Sequence, residues 1–153
     1  MVYATSTIIS AEKTLSQIKA VVKKAGATHF ATMDNPDHTT IAFSLRNRAI
    51  RFDLPTPPRD DRKMALNGRG GPRTADQRNA AWEQANRSRW RALYLCLKAK
   101  LESIENGIET FENAFLANTQ MPDGRTVSEV ALPQIAASYA MGDMQLQLSP
   151  SRH

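Results

Sequence analysis

The sequence predicts an α+β fold: a small antiparallel sheet of three or four strands packed on a helix, followed by a long helix and a shorter C-terminal helix. Three observations carry that expectation. Residues 28 to 33, 39 to 45 and 49 to 54 are short runs rich in strand formers, separated by turn residues. An amphipathic stretch with helical spacing precedes them. From residue 74 to 119 no proline interrupts the chain, and apolar residues recur in alternating steps of four and three. With 153 residues, 41% of them hydrophobic, the chain is long enough to bury a core. The expected units are a sheet-and-helix unit over 1 to 54, a basic loop or linker over 55 to 73, a helical unit over 74 to 142, and a tail over 143 to 153.

In chain order, residues 2 to 9 alternate loosely and fit a short strand, and Ser10 suits the N-cap of the helix that follows. Over residues 11 to 25, Leu15, Ile18, Val21 and Val22 share one face while Lys13, Lys19, Lys23 and Lys24 take others, and Gly26 ends the helix. Its apolar face needs a sheet to cover it. Ile41, Phe43 and Leu45 alternate on one side of the second strand, and Ile50, Phe52 and Leu54 on one side of the third. The turns are Asp34-Asn35-Pro36-Asp37 and Arg46-Asn47-Arg48. On the opposite side of the last hairpin stand Ser44, Arg46, Arg51 and Asp53, with Arg48 near the turn, a polar and mostly basic surface.

Pro55, Pro57, Pro58 and Pro72, with Gly68, Gly70 and Gly71, preclude regular structure over most of residues 55 to 73. Thr74-Ala75-Asp76-Gln77 then forms a capping box, and one helix is expected as far as residue 119. Its seam runs through Trp90, Tyr94, Leu97, Leu101, Ile104, Ile108, Phe111 and Phe115, the period of a packed helix pair. Leu97, Leu101, Ile104, Ile108 and Phe111 are accordingly candidates for a homo-oligomer interface, unless the sheet and the last helix cover them. Met121-Pro122-Asp123-Gly124-Arg125 reads as a turn, and Thr126 to Glu129 as a second capping box, opening a helix to about residue 141. Pro133 predicts a kink or break near Ala131 and Leu132, and Gly142 a C-terminal cap. In the tail, Met144, Leu146 and Leu148 alternate as an edge strand would.

Charge is the most informative functional feature. Residues 46 to 91 hold twelve Arg or Lys against five acids, a net of +7, and residues 92 to 153 hold four against seven, a net of −3. Of the twelve bases eleven are Arg, whose planar fork grips phosphate. Arg59, Arg62, Lys63, Arg69 and Arg73 lie in the loop and Arg78, Arg87, Arg89 and Arg91 at the start of the long helix, where Trp82 is a candidate for stacking on bases. The expected partner is therefore nucleic acid, single- or double-stranded. Glu102, Glu105, Glu109 and Glu112 at helical spacing form a stripe better read as a solvated face than as a metal site. His29, His38 and His153 pair with no nucleophile, Asp60 and Asp61 make no convincing metal site, and Cys96 among leucines reads as a small buried hydrophobe. No catalytic, metal or cofactor signature is present, and neither a leader-like N-terminus nor an 18-residue apolar run is found. A cytoplasmic protein without membrane or cofactor is expected.

Arg89-Trp90-Arg91-Ala92-Leu93, Lys98-Ala99-Lys100-Leu101-Glu102, Gly107-Ile108, Phe111-Glu112 and Met121-Pro122-Asp123-Gly124-Arg125-Thr126-Val127 carry a resemblance. Over residues 89 to 130 the chain resembles a family of small uncharacterised proteins encoded by tailed phages and prophages. The resemblance implies a phage context and action in the host cytoplasm, and transfers no catalytic residue. The order helix, three strands, helix is also similar to that of double-stranded RNA-binding domains, without their basic motif at the start of the second helix. Two functions fit: a non-enzymatic nucleic-acid-binding protein serving replication or recombination, or a phage protein that binds and inhibits a host defence protein.

Overall fold

A three-stranded antiparallel meander with two long helices on one face forms the body of the protein. The computed structural model describes residues 2 to 59 and 65 to 149, with residues 2 to 10 described by backbone alone. The elements are α1 (Val2–Lys24), β1 (Thr28–Asp34), β2 (His38–Leu45), β3 (Arg48–Pro55), α2 (Ala75–Glu105), a short α3 (Phe111–Ala114), a 3-10 turn at Leu116–Asn118, and α4 (Val127–Met141). The α+β expectation holds, in the order β1-β2-β3.

The first helix is longer than predicted. Residues 2 to 9 continue it upstream instead of forming a strand, and Ser10 is interior. Once a helix is nucleated by its packed part, each further residue adds a hydrogen bond, so β-branched residues are carried along. The β2–β3 hairpin is as tight as its sequence allows: Leu45 pairs with Arg48, and Arg46 and Asn47 between them have φ of 48° and 61°. Two left-handed residues are what a type I′ turn requires. In β1 the register slips between Thr28 and Ala31, with His29 at φ 54°.

Ile41, Phe43, Leu45, Ile50 and Phe52 form the inner face of the sheet and meet Ile18 and Val22 of α1 and Trp90, Leu93 and Leu97 of α2. Phe115, wholly buried, sits at the centre, edge-on to Phe43 and Phe52 with centroids 6.4 and 6.3 Å away and 5.5 Å from Phe111. One core thus draws on residues from 18 to 115 and crosses the expected division between the 1 to 54 and 74 to 142 units.

The long helix stops at Glu105, well short of residue 119. Gly107 takes φ +71°, Asn106 N–H bonds back to Glu102 O at 3.0 Å, and Thr110 caps a new start. The break folds Phe111 and Phe115 back over the sheet. The seam is consequently covered within the protomer by α1 and the sheet: Leu97 and Phe111 are buried, Leu101 and Ile104 pack on the core, and Ile108, in the turn, is 78% exposed. The surface predicted for self-association is used up inside the molecule, and α4 is not what covers it. Cys96 is exposed, because helical phase turns Leu93 and Leu97 inward and places residue 96 outside.

Past the break, Gln120 N–H donates to Ala49 O at 2.8 Å, and Thr119 bridges Ile50. This one rung occupies the free edge of β3 in place of a fourth strand. The turn over residues 121 to 125 closes through Met121 N–H to Arg125 O at 2.7 Å. The Arg125 amide and guanidinium hold the Asp123 carboxyl below its usual range. Both predicted capping boxes are present, at Thr74 and Thr126, and Gly142 ends α4 at φ +68°. Of the kink or break expected near Ala131 and Leu132, a break is absent: α4 runs through Pro133 as one element, with Pro133 on the solvent side. Residues 143 to 149 form no strand but lie along α4, where Gln145 N–H donates to Ser138 Oγ at 2.9 Å and Gln134 Nε2 to Gln147 O at 2.6 Å.

Candidate nucleic-acid interface

The amino-terminal half of α2 and the loop after β3 build one basic end of the molecule. Trp82 is the anchor. Its indole N–H donates to Pro57 O at 2.6 Å, and Pro57 is itself fully buried. Two turns on, Arg89 Nη1 donates to Pro55 O at 2.8 Å, so the chain leaving the sheet is tied twice to the helix. The Arg59 guanidinium lies 3.6 Å from the centre of the Trp82 ring and donates to Asn79 Oδ1 at 3.2 Å. This is a stacked cation on the most favourable ring for it.

Trp82 is therefore not a free platform for bases: Arg59 occupies a ring face and Pro57 takes its N–H. The predicted cluster of Arg87, Arg89 and Arg91 is also divided. At about 100° per residue, Arg78, Trp82 and Arg89 fall within roughly 40° of each other, whereas Arg87 and Arg91 project about 160° from Arg89. Arg87 bonds Gln84 Oε1 at 2.6 Å, and Arg91 lies 5.0 Å from the Tyr94 ring centre. Spacing of i, i+2, i+4 makes a cluster on a strand and a split on a helix.

The loop is more structured than a linker. Asn67 Oδ1 accepts from the backbone N–H groups of Arg69 and Gly71, both at 2.9 Å, and Arg73 N–H returns to Ala65 O at 2.9 Å. A Cβ on Gly71 would stand 3.2 Å from the Asn67 amide, so a residue without one suits the position. Arg69 is exposed on this loop, and Arg73 is half-buried at its base. Arg62, Lys63, Asp60, Asp61 and His153 lie outside the described residues.

Electrostatics distinguish this end. Ion pairs among the described residues join His38 to Asp37, Arg51 to Asp53 and Glu129, and Arg125 to Asp123. None involves Arg59, Arg69, Arg73, Arg78, Arg87, Arg89 or Arg91; no described carboxylate comes within 4.0 Å of these seven guanidinium groups. Their hydrogen-bond partners are neutral amides and carbonyls, which position the cations without cancelling them.

Arg51 behaves differently from its neighbours in sequence. Expected on a basic outer face, it is instead a clamp: Nη1 donates to Gly124 O at 3.1 Å, and Nη2 meets the Glu129 carboxylate and lies 3.5 Å from Asp53 Oδ2. Its Nε is buried without a partner among the described atoms. Glu129 is the N3 residue of the second capping box, so the same carboxylate caps α4 and ties it to the sheet.

A second concavity, of about 430 Å³, opens where α1, α2 and the β2–β3 turn end together. Val21, Ala25, Leu45, Leu101 and Ile104 floor it, and Lys24, Arg46, Lys98, Glu102 and Glu105 stand round it. Sequence reading did not find this cleft, although the last apolar residue of several stripes pointed to it. The glutamate stripe is broken: Glu102 and Glu105 stay on α2, while Glu109 lies past the turn and accepts from Ser103 Oγ at 2.9 Å. Among the described residues, no three His, Cys, Asp or Glu side chains gather as a metal-ligand set, and no helix is long and apolar enough to cross a membrane. Comparison with protein-family models, curated proteins and solved structures finds no match.

Proposed function

We propose that this chain is a phage-encoded, non-enzymatic nucleic-acid-binding protein of the host cytoplasm, an accessory factor in replication or recombination. The observation that carries the reading is the set of seven described arginines, from Arg59 to Arg91, without a carboxylate partner. Arginine left uncompensated at one end of a fold supports a phosphate-contacting role. Arg59, Arg69, Arg73, Arg78 and Arg89 approach phosphates from the loop and one flank of α2, and Arg87 and Arg91 from the other. Arg62 and Lys63 contribute from residues 60 to 64. Trp82 serves by holding Arg59 and the loop, so affinity comes from backbone contacts and depends little on base identity. The net −3 of residues 92 to 153 keeps the remainder of the chain away from the ligand.

Fluorescent single-stranded and duplex oligonucleotides titrated at 50, 100 and 200 mM salt test this. If six to ten phosphates are engaged, affinity falls by roughly 10³ to 10⁵ across that range. Replacing Arg59, Arg78 and Arg89 together by Lys should retain most of the salt slope; replacing them by Gln should lower it by about three. A flat salt response, or no binding at 50 mM, would sink the proposal. The alternative, inhibition of a host defence protein, would then be pursued by capturing the partner from host lysate.

A further inference from the structure

The cleft of about 430 Å³ lies at the end of α2 opposite the arginines, and its volume falls in the range of about 300–1,000 Å³ typical of small-molecule sites. Its floor is apolar, and Arg46 stands at its mouth. Arg46 opens the β2–β3 turn, where it and Asn47 both take the left-handed conformation, at φ 48° and 61°. Asn, Asp and Gly fill such positions readily, whereas Arg does so at a cost in stability. A residue that weakens the turn it sits in marks a side chain used for something besides the turn. The Arg46 guanidinium lies 5.5 Å from the centre of the Phe111 ring, which holds it against the cleft wall, and among the described residues no acceptor takes its N–H groups.

We infer that this cleft binds a small apolar carboxylate, its head group on Arg46 and Lys24 and its hydrocarbon on Val21, Leu45, Leu101 and Ile104. The planar fork of Arg46 matches a carboxylate, and Lys24, at the end of α1, supplies a second cation from another element. None of the charged groups round the mouth forms an ion pair among the described residues. Glu102 stands one helical turn from Lys98 on the same flank of α2, so each offsets the other, and Lys24 and Arg46 then outnumber Glu105. The last carbonyls of α1 do not oppose an anion there, because those of Val21, Val22 and Lys23 already accept the amides of Ala25, Ala27 and Gly26. A bare phosphate would leave the apolar floor wet, and an amine would meet Arg46 and Lys24; a hydrocarbon chain ending in a carboxylate satisfies both parts of the cleft.

The inference is independent of the arginine end and survives if nucleic-acid binding fails. A heteronuclear NMR titration of the full chain tests it with decanoate, decanol and decylammonium, which share one hydrocarbon chain and differ in head group, each kept below its micelle concentration. Decanoate should bind at least about tenfold more tightly than the other two and shift the amides of Leu45, Arg46 and Phe111. Arg46→Asn should weaken decanoate by a similar factor while leaving the denaturation midpoint no lower, because Asn suits the left-handed turn that Arg strains. Equal binding of the three compounds, tighter binding of decylammonium, or no binding at all would overturn the inference. So would decanoate shifts that fall on α4 and the tail instead of the cleft, or an affinity for decanoate that Arg46→Asn leaves unchanged.

Discussion

Helices α2 and α4 are opened by the same device, a threonine capping box, and each carries an apolar stripe in steps of three and four. On α2 the stripe from Trp90 to Leu97 disappears into the core; on α4 the stripe from Leu132 to Tyr139 faces solvent. The difference lies in what else the chain brings to each helix. Near α2 the chain supplies α1, an apolar sheet face and, by breaking at Gly107, the side chains of Phe111 and Phe115. Near α4 it supplies one rung of backbone pairing, one arginine clamp and a tail held by two polar side chains. Local rules decide that both segments are helical; the covering partners decide which becomes core.

The sharpest break of this comparison is a pair of truncations. Phe115→Ala removes the ring at the centre of the core and should cost about 3–5 kcal/mol in urea unfolding. Leu132→Ala, at an exposed position, should stay within about 0.5 kcal/mol. Equal effects would mean that α4 is as much core as α2.

Next comes the clamp. Arg51→Ala deletes the bonds to Gly124 and Glu129, a loss on the order of 1–2 kcal/mol, reduced from that of a fully buried pair because Glu129 is nearly half exposed. Amide exchange should accelerate across α4 while β2 and β3 keep their protection. Acceleration throughout the sheet would show that α4 and the body open as one unit.

The smallest effect sharpens the comparison at two glycines in the same left-handed conformation, Gly107 at +71° and Gly142 at +68°, neither with an atom within 4 Å of an added Cβ. Alanine at Gly107 should destabilise the body by about 1 kcal/mol, since the turn it closes returns Phe111 to the core. At Gly142 the same backbone penalty should appear as fraying of the last turn of α4, with the denaturation midpoint nearly unmoved.

Legibility in the sequence followed the range of the interactions. Thr74 with Gln77, Thr126 with Glu129, and the alternation of Ile41, Phe43 and Leu45 are decided by neighbours a few residues away, and all were readable. The end of α2 was not, because Phe111 and Phe115 resume the same spacing beyond Gly107, so a broken helix and a continuous one share a pattern. Cys96 was misplaced for a related reason: a run of leucines suggests burial, but only the phase fixed by Leu93 and Leu97 settles which residues turn inward. For the candidate site, the arginine content was visible and its arrangement was not. The pairing of Trp82 with Pro57 and of Arg51 with Glu129 spans 25 and 78 positions. No local signal announces contacts at that separation.

The two rims of the sheet have a consequence for the protein in concentrated solution. Along β3 the rung from Gln120 to Ala49 occupies the outer lane, and along β1 the slipped register and left-handed His29 bend the strand out of the flat geometry another strand would need. Both interruptions shorten the straight row of vacant amides and carbonyls on which fibrils extend. A chain with so much uncovered hydrocarbon on one helix is thus still guarded against runaway β-stacking.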